Sequence, residues 1–130
     1  MNFFQEEHPM ANILVVDDSS TVRSEVGNFL GSNGFQVALA VDGRDGLAKL
    51  KQHSGIKLIV CDVNMPHMDG LTMAERVRSE LGNHRVNIVM LTTESSPAMK
   101  ERGKAAGVKG WIVKPFNGPA VLGSFQKLAA

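Results

Sequence analysis

The sequence predicts a single α/β domain, a five-stranded parallel sheet with helices on both faces. Three observations predict it. Five short apolar runs recur along the chain, apolar residues at helical spacing lie between them, and 130 residues hold one domain with a real core. Continuous apolar runs suit strands covered on both faces, although a buried helix turn can look alike. Strict alternation with helices implies parallel pairing through right-handed crossovers.

The elements follow in order. Residues 13–16 (ILVV) read as the first strand. Val22, Val26, Phe29 and Leu30 then recur at i, i+4, i+7 and i+8, which is one face of a helix. Ser19 or Ser20 is its candidate N-cap, and Gly34 its candidate C-terminal closure. Residues 37–40 (VALA) and 57–61 (KLIVC) read as the second and third strands. Leu71, Ala74, Val77 and Leu81 repeat the helical spacing before the fourth strand, 87–91 (NIVML). Residues 110–113 (GWIV) form the fifth strand, and Leu122, Phe125 and Leu128 mark a last helix. The helices between strands two and three, and between strands four and five, rest on the alternation alone. Residues 1–11 are expected to be a flexible extension, and residues 12–130 the domain.

Composition narrows the function classes. With 43% hydrophobic and 21% charged residues, the chain has the make-up of an ordinary globular protein rather than a disordered one. A net charge of +1, with Lys and Arg scattered, gives no reason to expect nucleic acid or a membrane surface as partner. Cys61 is the only cysteine, so no internal disulfide can form and a reducing compartment fits. No apolar stretch approaches the roughly 20 residues of a membrane span. The opening MNFFQEEHPM lacks the basic start and apolar middle of a secretion signal. A cytoplasmic monomer is the expectation.

In an open α/β sheet, ligands bind beyond the carboxyl ends of the strands, where the strand order reverses. The residues at those ends are therefore informative. The first strand runs into Asp17 and Asp18, the third into Asp62, the fourth into Thr92, and the fifth into Lys114 and Pro115. Three carboxylates in one cleft repel, and a cation or a proton must relieve them. An all-oxygen set suits a hard divalent ion, with magnesium the expected cofactor and manganese an alternative. Metal and Lys114 would offset the charge that builds when a carboxylate attacks phosphorus. The Thr92 hydroxyl can then donate to a phosphoryl oxygen.

Four segments, ILVVDDSSTVR, LIVCDVNMPHMDG, MLTTES and GWIVKPF, resemble in order and spacing the receiver domains of two-component response regulators, most closely the CheY-type chemotaxis regulators. The resemblance runs from about Asn12 to the C-terminus and implies the sheet order 2-1-3-4-5, which is carried over rather than read from the residues. It implies Asp62 as phosphoacceptor, Asp17 and Asp18 as acidic metal ligands, and Asn64 as a ligand through its backbone carbonyl. It further implies Thr92 as the switch hydroxyl, Lys114 as the partner of the phosphoryl oxygens, and a cis peptide bond at Lys114–Pro115. The family's switch aromatic, a Tyr or Phe, falls on Trp111, whose bulk is expected to restrict an inward rotamer. Val63 stands where the CheY-type proteins carry Trp, which leaves Trp111 the only tryptophan.

Plainer readings stand beside these. Asp17 and Asp18 are also natural helix caps, Thr92 a β-former at a strand end, and Lys114 a solvated charge; the four segments in register favour the site. Asn64 and Glu94, two residues past Asp62 and Thr92, resemble a pair that governs self-dephosphorylation, and equally read as solvated loop residues. Cys61 reads as core, as do Met65, Met68, Met73 and Met99; His8, His53, His67 and His84 show no metal-ligand spacing. The favoured function is a stand-alone receiver, not an enzyme. It takes phosphate from a histidine kinase and signals through the face of helix four, strand five and helix five to a partner such as the flagellar switch. A phosphorelay carrier or phosphate sink shares all of this chemistry. A metal-dependent aspartyl-phosphate phosphatase would need room for a substrate cap. A dinucleotide-binding domain would need a glycine-rich loop where DDSST stands.

Overall fold

The computed structural model describes residues 11–130. The extension expected over residues 1–11 lies outside them, apart from Ala11, which is buried in the core. Strands β1 (Ile13–Val16), β2 (Val37–Ala40), β3 (Leu58–Cys61), β4 (Asn87–Thr92) and β5 (Gly110–Val113) alternate with five helices. These are α1 (Ser20–Ser32), α2 (Gly43–Gln52), α3 (Gly70–Ser79), α4 (Pro97–Ala105) and α5 (Gly118–Leu128). The strands form one parallel sheet in the order β2-β1-β3-β4-β5. The expected strands agree with these bounds, except that β3 starts one residue later and β4 runs on to Thr92.

Strand side chains alternate between the two faces, and each face has its own core. Leu14, Val16, Ile59, Cys61, Ile88 and Met90 pack with Leu47, Leu50, Leu71, Met73 and Val77, so α2 and α3 cover this side, joined by Met99 of α4. Ile13, Val15, Leu58, Val60, Val89 and Leu91 pack with Val26, Leu30 and Phe125, so α1 and α5 cover the other. Every residue of β1 and β3 is buried, whereas edge strands β2 and β5 carry the exposed Leu39 and Val113. Central apolar runs and weaker edges are what two-sided burial demands of a parallel sheet.

Helix ends are closed by side chains that their sequence supplies. Ser19, rather than Ser20, caps α1 by accepting from the Val22 N–H at 3.3 Å, and Gly34 turns the chain away at φ 92°. Asp42, Asp69, Ser96 and Asn117 cap α2 to α5 in the same way. Only Gly103 of α4 is fully buried, which explains why that helix has no apolar stripe in the sequence. Among the described residues, no helix is long and apolar enough to cross a membrane.

Candidate functional site

The site sits where the strand order reverses. From β1 the chain crosses through α1 to β2 on one side, then returns from β2 through α2 to β3 on the other side of β1. Asp17 leaves β1 with its N–H donating to the Ala40 carbonyl (3.1 Å), while the Asp62 N–H, leaving β3, donates to the Val16 carbonyl (3.0 Å). Parallel register, pairing Val16 with Cys61, therefore puts the two aspartates side by side. Carboxylate oxygens of Asp17, Asp18 and Asp62 all lie within 4.8 Å of one another. Asp17 and Asp62 are buried, and Asp18 is exposed at the mouth.

Lys114 reaches into this cluster from the end of β5. Its Nζ donates to Asp62 Oδ2 at 2.9 Å and lies 3.0 Å from Asp17 Oδ2. Burial pushes the ammonium pKa down, but the hydrogen bonds to Asp62 and Asp17 and their charges outweigh it, and the net shift is upward. Burial also raises the Asp17 carboxyl above its ordinary value, helped by the Asp62 charge and opposed by the Ser19 N–H (2.9 Å) and Lys114. One ammonium does not relieve three carboxylates. The unrelieved charge and the all-oxygen donor set fit a hard divalent cation held by Asp17, Asp18 and Asp62. Asn64, two residues past Asp62, would add its backbone carbonyl from the same loop.

The loop after β3 is fixed closely. Asp62 Oδ1 accepts from the Val63 N–H at 2.6 Å, and the Gly70 N–H donates to the Val63 carbonyl at 2.8 Å. A Cβ at Gly70 would overlap the Asp62 carbonyl oxygen, so only glycine lets α3 begin this close to the acidic cluster. Arg23 supports the other side, its Nη1 donating to the Asp17 backbone carbonyl at 2.7 Å. Sequence reasoning passed over both residues. Their signals are the Arg one turn into the helix after DDSST and the Gly closing MPHMDG.

The remaining predicted residues gather around the loop after β4. Thr92 is fully buried at the strand end, its hydroxyl oxygen accepting from the Glu94 N–H at 3.2 Å, and the Lys114 N–H donates to its carbonyl at 2.9 Å. Asn64 Nδ2 donates to Glu94 Oε1 at 2.8 Å, so the loops after β3 and β4 join side chain to side chain. The Trp111 Nε1–H donates to the Glu94 carbonyl at 2.7 Å. The Trp111 ring is half-buried against the sheet face that carries Met90, and a Cβ on Gly103 of α4 would leave only 3.2 Å to it. The Lys114–Pro115 peptide bond is cis.

Residues read as bystanders behave as such. Cys61 is buried, and burial first, then the nearby carboxylates, pushes its thiol pKa well up, which suits core rather than nucleophile. Met68 and Met73 are buried, and Met65 and Met99 pack on the core. His67 and His84 are exposed and His53 half-buried, while His8 lies outside the described residues.

The response regulator receiver domain model matches residues 13–125. The chain is 40% identical over 111 residues to the chemotaxis protein CheY1 of Helicobacter pylori, covering 85% of this chain and 89% of that one. It is 38% identical to the chemotaxis protein CheY of Treponema pallidum, over 85% of this chain and 76% of that one. Among solved structures, chemotaxis protein CheY4 of Vibrio cholerae superposes with a TM-score of 0.83 at 42% identity, covering 92% of this chain and 99% of that one. A Borrelia burgdorferi CheY, solved in complex with CheX, BeF3 and Mg2+, superposes at 0.82 with 26% identity, covering 98% of this chain and 94% of that one.

Proposed function

Because this chain belongs to the response regulator receivers of two-component signalling, CheY-like in sequence and fold, we propose that it is a cytoplasmic, monomeric chemotaxis switch controlled by phosphorylation of Asp62. The observation that carries the reading is Lys114 Nζ, 2.9 Å from Asp62 and 3.0 Å from Asp17, with Asp18 beside them. That set gathers a carboxylate able to accept a phosphoryl group, an ammonium shared between two carboxylates, and a surplus of negative charge.

The donor is the phosphohistidine of a histidine kinase. An Asp62 carboxylate oxygen bonds to phosphorus, the phosphorus–nitrogen bond breaks, and the electron pair leaves with the imidazole, which takes up a proton. Asp17, Asp18, Asp62 and the Asn64 carbonyl would hold magnesium, or manganese with the same donor preferences, and the bound ion would supply positive charge to offset the phosphoryl oxygens. Lys114 passes a hydrogen bond from Asp62 to a phosphoryl oxygen and stays close to Asp17, so it needs little displacement. Thr92 turns its hydroxyl proton to another phosphoryl oxygen. The new group brings about −1.5 to −2 charge units into a buried pocket, which is what draws both donors inward.

Movement of Thr92 would reach the outside through the loop after β4, which Glu94 ties to Trp111 on β5. The face formed by α4, β5 and α5 is then the surface read by an output protein, the flagellar switch being the proposed one. Asn64 and Glu94, joined at the mouth of the pocket, would orient the water that hydrolyses the acyl phosphate.

Trp111 is the only tryptophan and reports on this region directly. Its fluorescence should change when beryllofluoride, a stand-in for the phosphoryl group, is added with magnesium, and the change should vanish in Asp62→Asn. A response that survives the substitution would move the chemistry to another residue.

A further inference from the structure

We infer that Trp111 is a positioning residue for the hydrolysis of phospho-Asp62, acting through the backbone of Glu94. The inference rests on the proposal that Asp62 carries the phosphoryl group.

Three hydrogen bonds define the arrangement. Glu94 accepts at its backbone carbonyl from the Trp111 indole N–H (2.7 Å) and at its side chain from Asn64 Nδ2 (2.8 Å), and its own N–H donates to Thr92 Oγ1 (3.2 Å). Glu94 is thus held from β5, from the loop after β3, and from the end of β4. Asn64 is exposed and Glu94 only half-buried, so their contact spans the open mouth of the pocket rather than its floor. Without a bond to the Glu94 carbonyl, the four residues between Thr92 and the first residue of α4, three of them exposed, would let that contact come and go. The indole N–H supplies the anchor, and the ring cannot easily withdraw because it is wedged between the sheet and Gly103 of α4. Phenylalanine in its place would have no N–H to offer.

The step affected is specific. A water oxygen bonds to phosphorus, the bond from phosphorus to the Asp62 oxygen breaks with its electron pair staying on the carboxylate, and the phosphate leaves as dihydrogen phosphate with both water hydrogens. Water must approach from the side opposite the Asp62 oxygen, the solvent side, where Asn64 and Glu94 meet. A preassembled pair lowers the cost of ordering that water. Formation of the acyl phosphate needs no water there, so Trp111 leaves it alone.

The test measures phosphorylation by a small-molecule phosphodonor and the subsequent decay separately, by mass spectrometry, in the parent chain, Trp111→Phe, Glu94→Ala and the double variant. Trp111→Phe should slow decay about fivefold, the worth of one neutral hydrogen bond, with the phosphorylation rate unchanged. In the Glu94→Ala background the same substitution should have no further effect, because the pair it positions is gone. Unchanged or faster decay in Trp111→Phe overturns the inference, as does an equal slowing in both backgrounds. If the parent chain takes no phosphate on Asp62, the proposed function itself fails, which is a different result.

Discussion

The two ends of the sheet both take charge out of water, and they settle it in opposite ways. At the amino ends of the strands, Arg78 of α3 donates to the carbonyls of Asn83, Val86, Ala106 and Gly107 at 2.7–3.3 Å. Burial alone moves its pKa, downward. Its donors go to backbone carbonyls, two of them, Ala106 and Gly107, at the loose end of α4, where helix carbonyls run out of partners within their own helix. At the carboxyl ends, Asp17 and Asp62 share one ammonium with the exposed Asp18 alongside. Charge that is fully matched by neutral dipoles serves the fold; charge left over awaits a ligand. The contrast teaches that burial of an ion is not by itself a functional mark, and that the imbalance around it is.

Substitutions at the two ends should therefore separate switching from stability. Asp62→Asn should abolish phosphodonor labelling and the Trp111 response outright, without lowering the melting temperature, because it removes one of the mutually repelling carboxylates. Arg78→Met should do the reverse. It strips donors from several carbonyls and should lower unfolding free energy by roughly 2–4 kcal/mol, measured by denaturant melts, with labelling of Asp62 intact. A stability loss in Asp62→Asn as large as that in Arg78→Met would erase the distinction between the two ends.

Next in size is the effect of relieving the surplus charge. Asp17 binds its proton more tightly folded than unfolded, so its contribution favours the folded state below the ordinary carboxylate pKa and is lost as pH rises through the elevated folded value. Magnesium, binding only the folded pocket, should restore stability at neutral pH by about 2.7 kcal/mol at a hundredfold excess over its Kd. Asp17→Asn should raise the melting temperature of the metal-free chain and shrink the magnesium increment. An undiminished increment would place the ion elsewhere.

How much of this the sequence disclosed follows the same division. Strands β1 and β3 were legible as unbroken apolar runs because both faces are buried, and the acids after them were legible because the ends of central strands have few other uses for charge. Helix α4 was not, since it leans on the sheet with Gly103 and one partly buried Met99 instead of an apolar stripe. Arg78 was equally hidden. Its role comes from where the ends of α3 and α4 meet, 28 residues apart in the chain for Arg78 and Ala106, and no local pattern encodes that meeting. Gly70 was passed over as well, because the overlap that forbids any other residue depends on the path of the Asp62 loop.

The smallest expected effect tests whether exposure removes a charge from either class. Arg102 of α4 holds Glu75 of α3 through two hydrogen bonds, at 2.8 and 3.0 Å, and also reaches Thr72 Oγ1 at 3.1 Å, yet the Arg102 and Glu75 side chains are each 44% exposed. The Arg102 hydrogen bond lowers the Glu75 pKa. With the folded value depressed, the pair's contribution is present above the ordinary carboxylate pKa and is lost as pH falls through the lowered one. Water screens both groups, so Arg102→Ala should cost only about 0.2–1 kcal/mol at neutral pH, less in high salt, and least once Glu75 is protonated and only the Thr72 contact is left. A salt-insensitive loss several times larger would mean that α4 depends on this clasp as it does on Arg78.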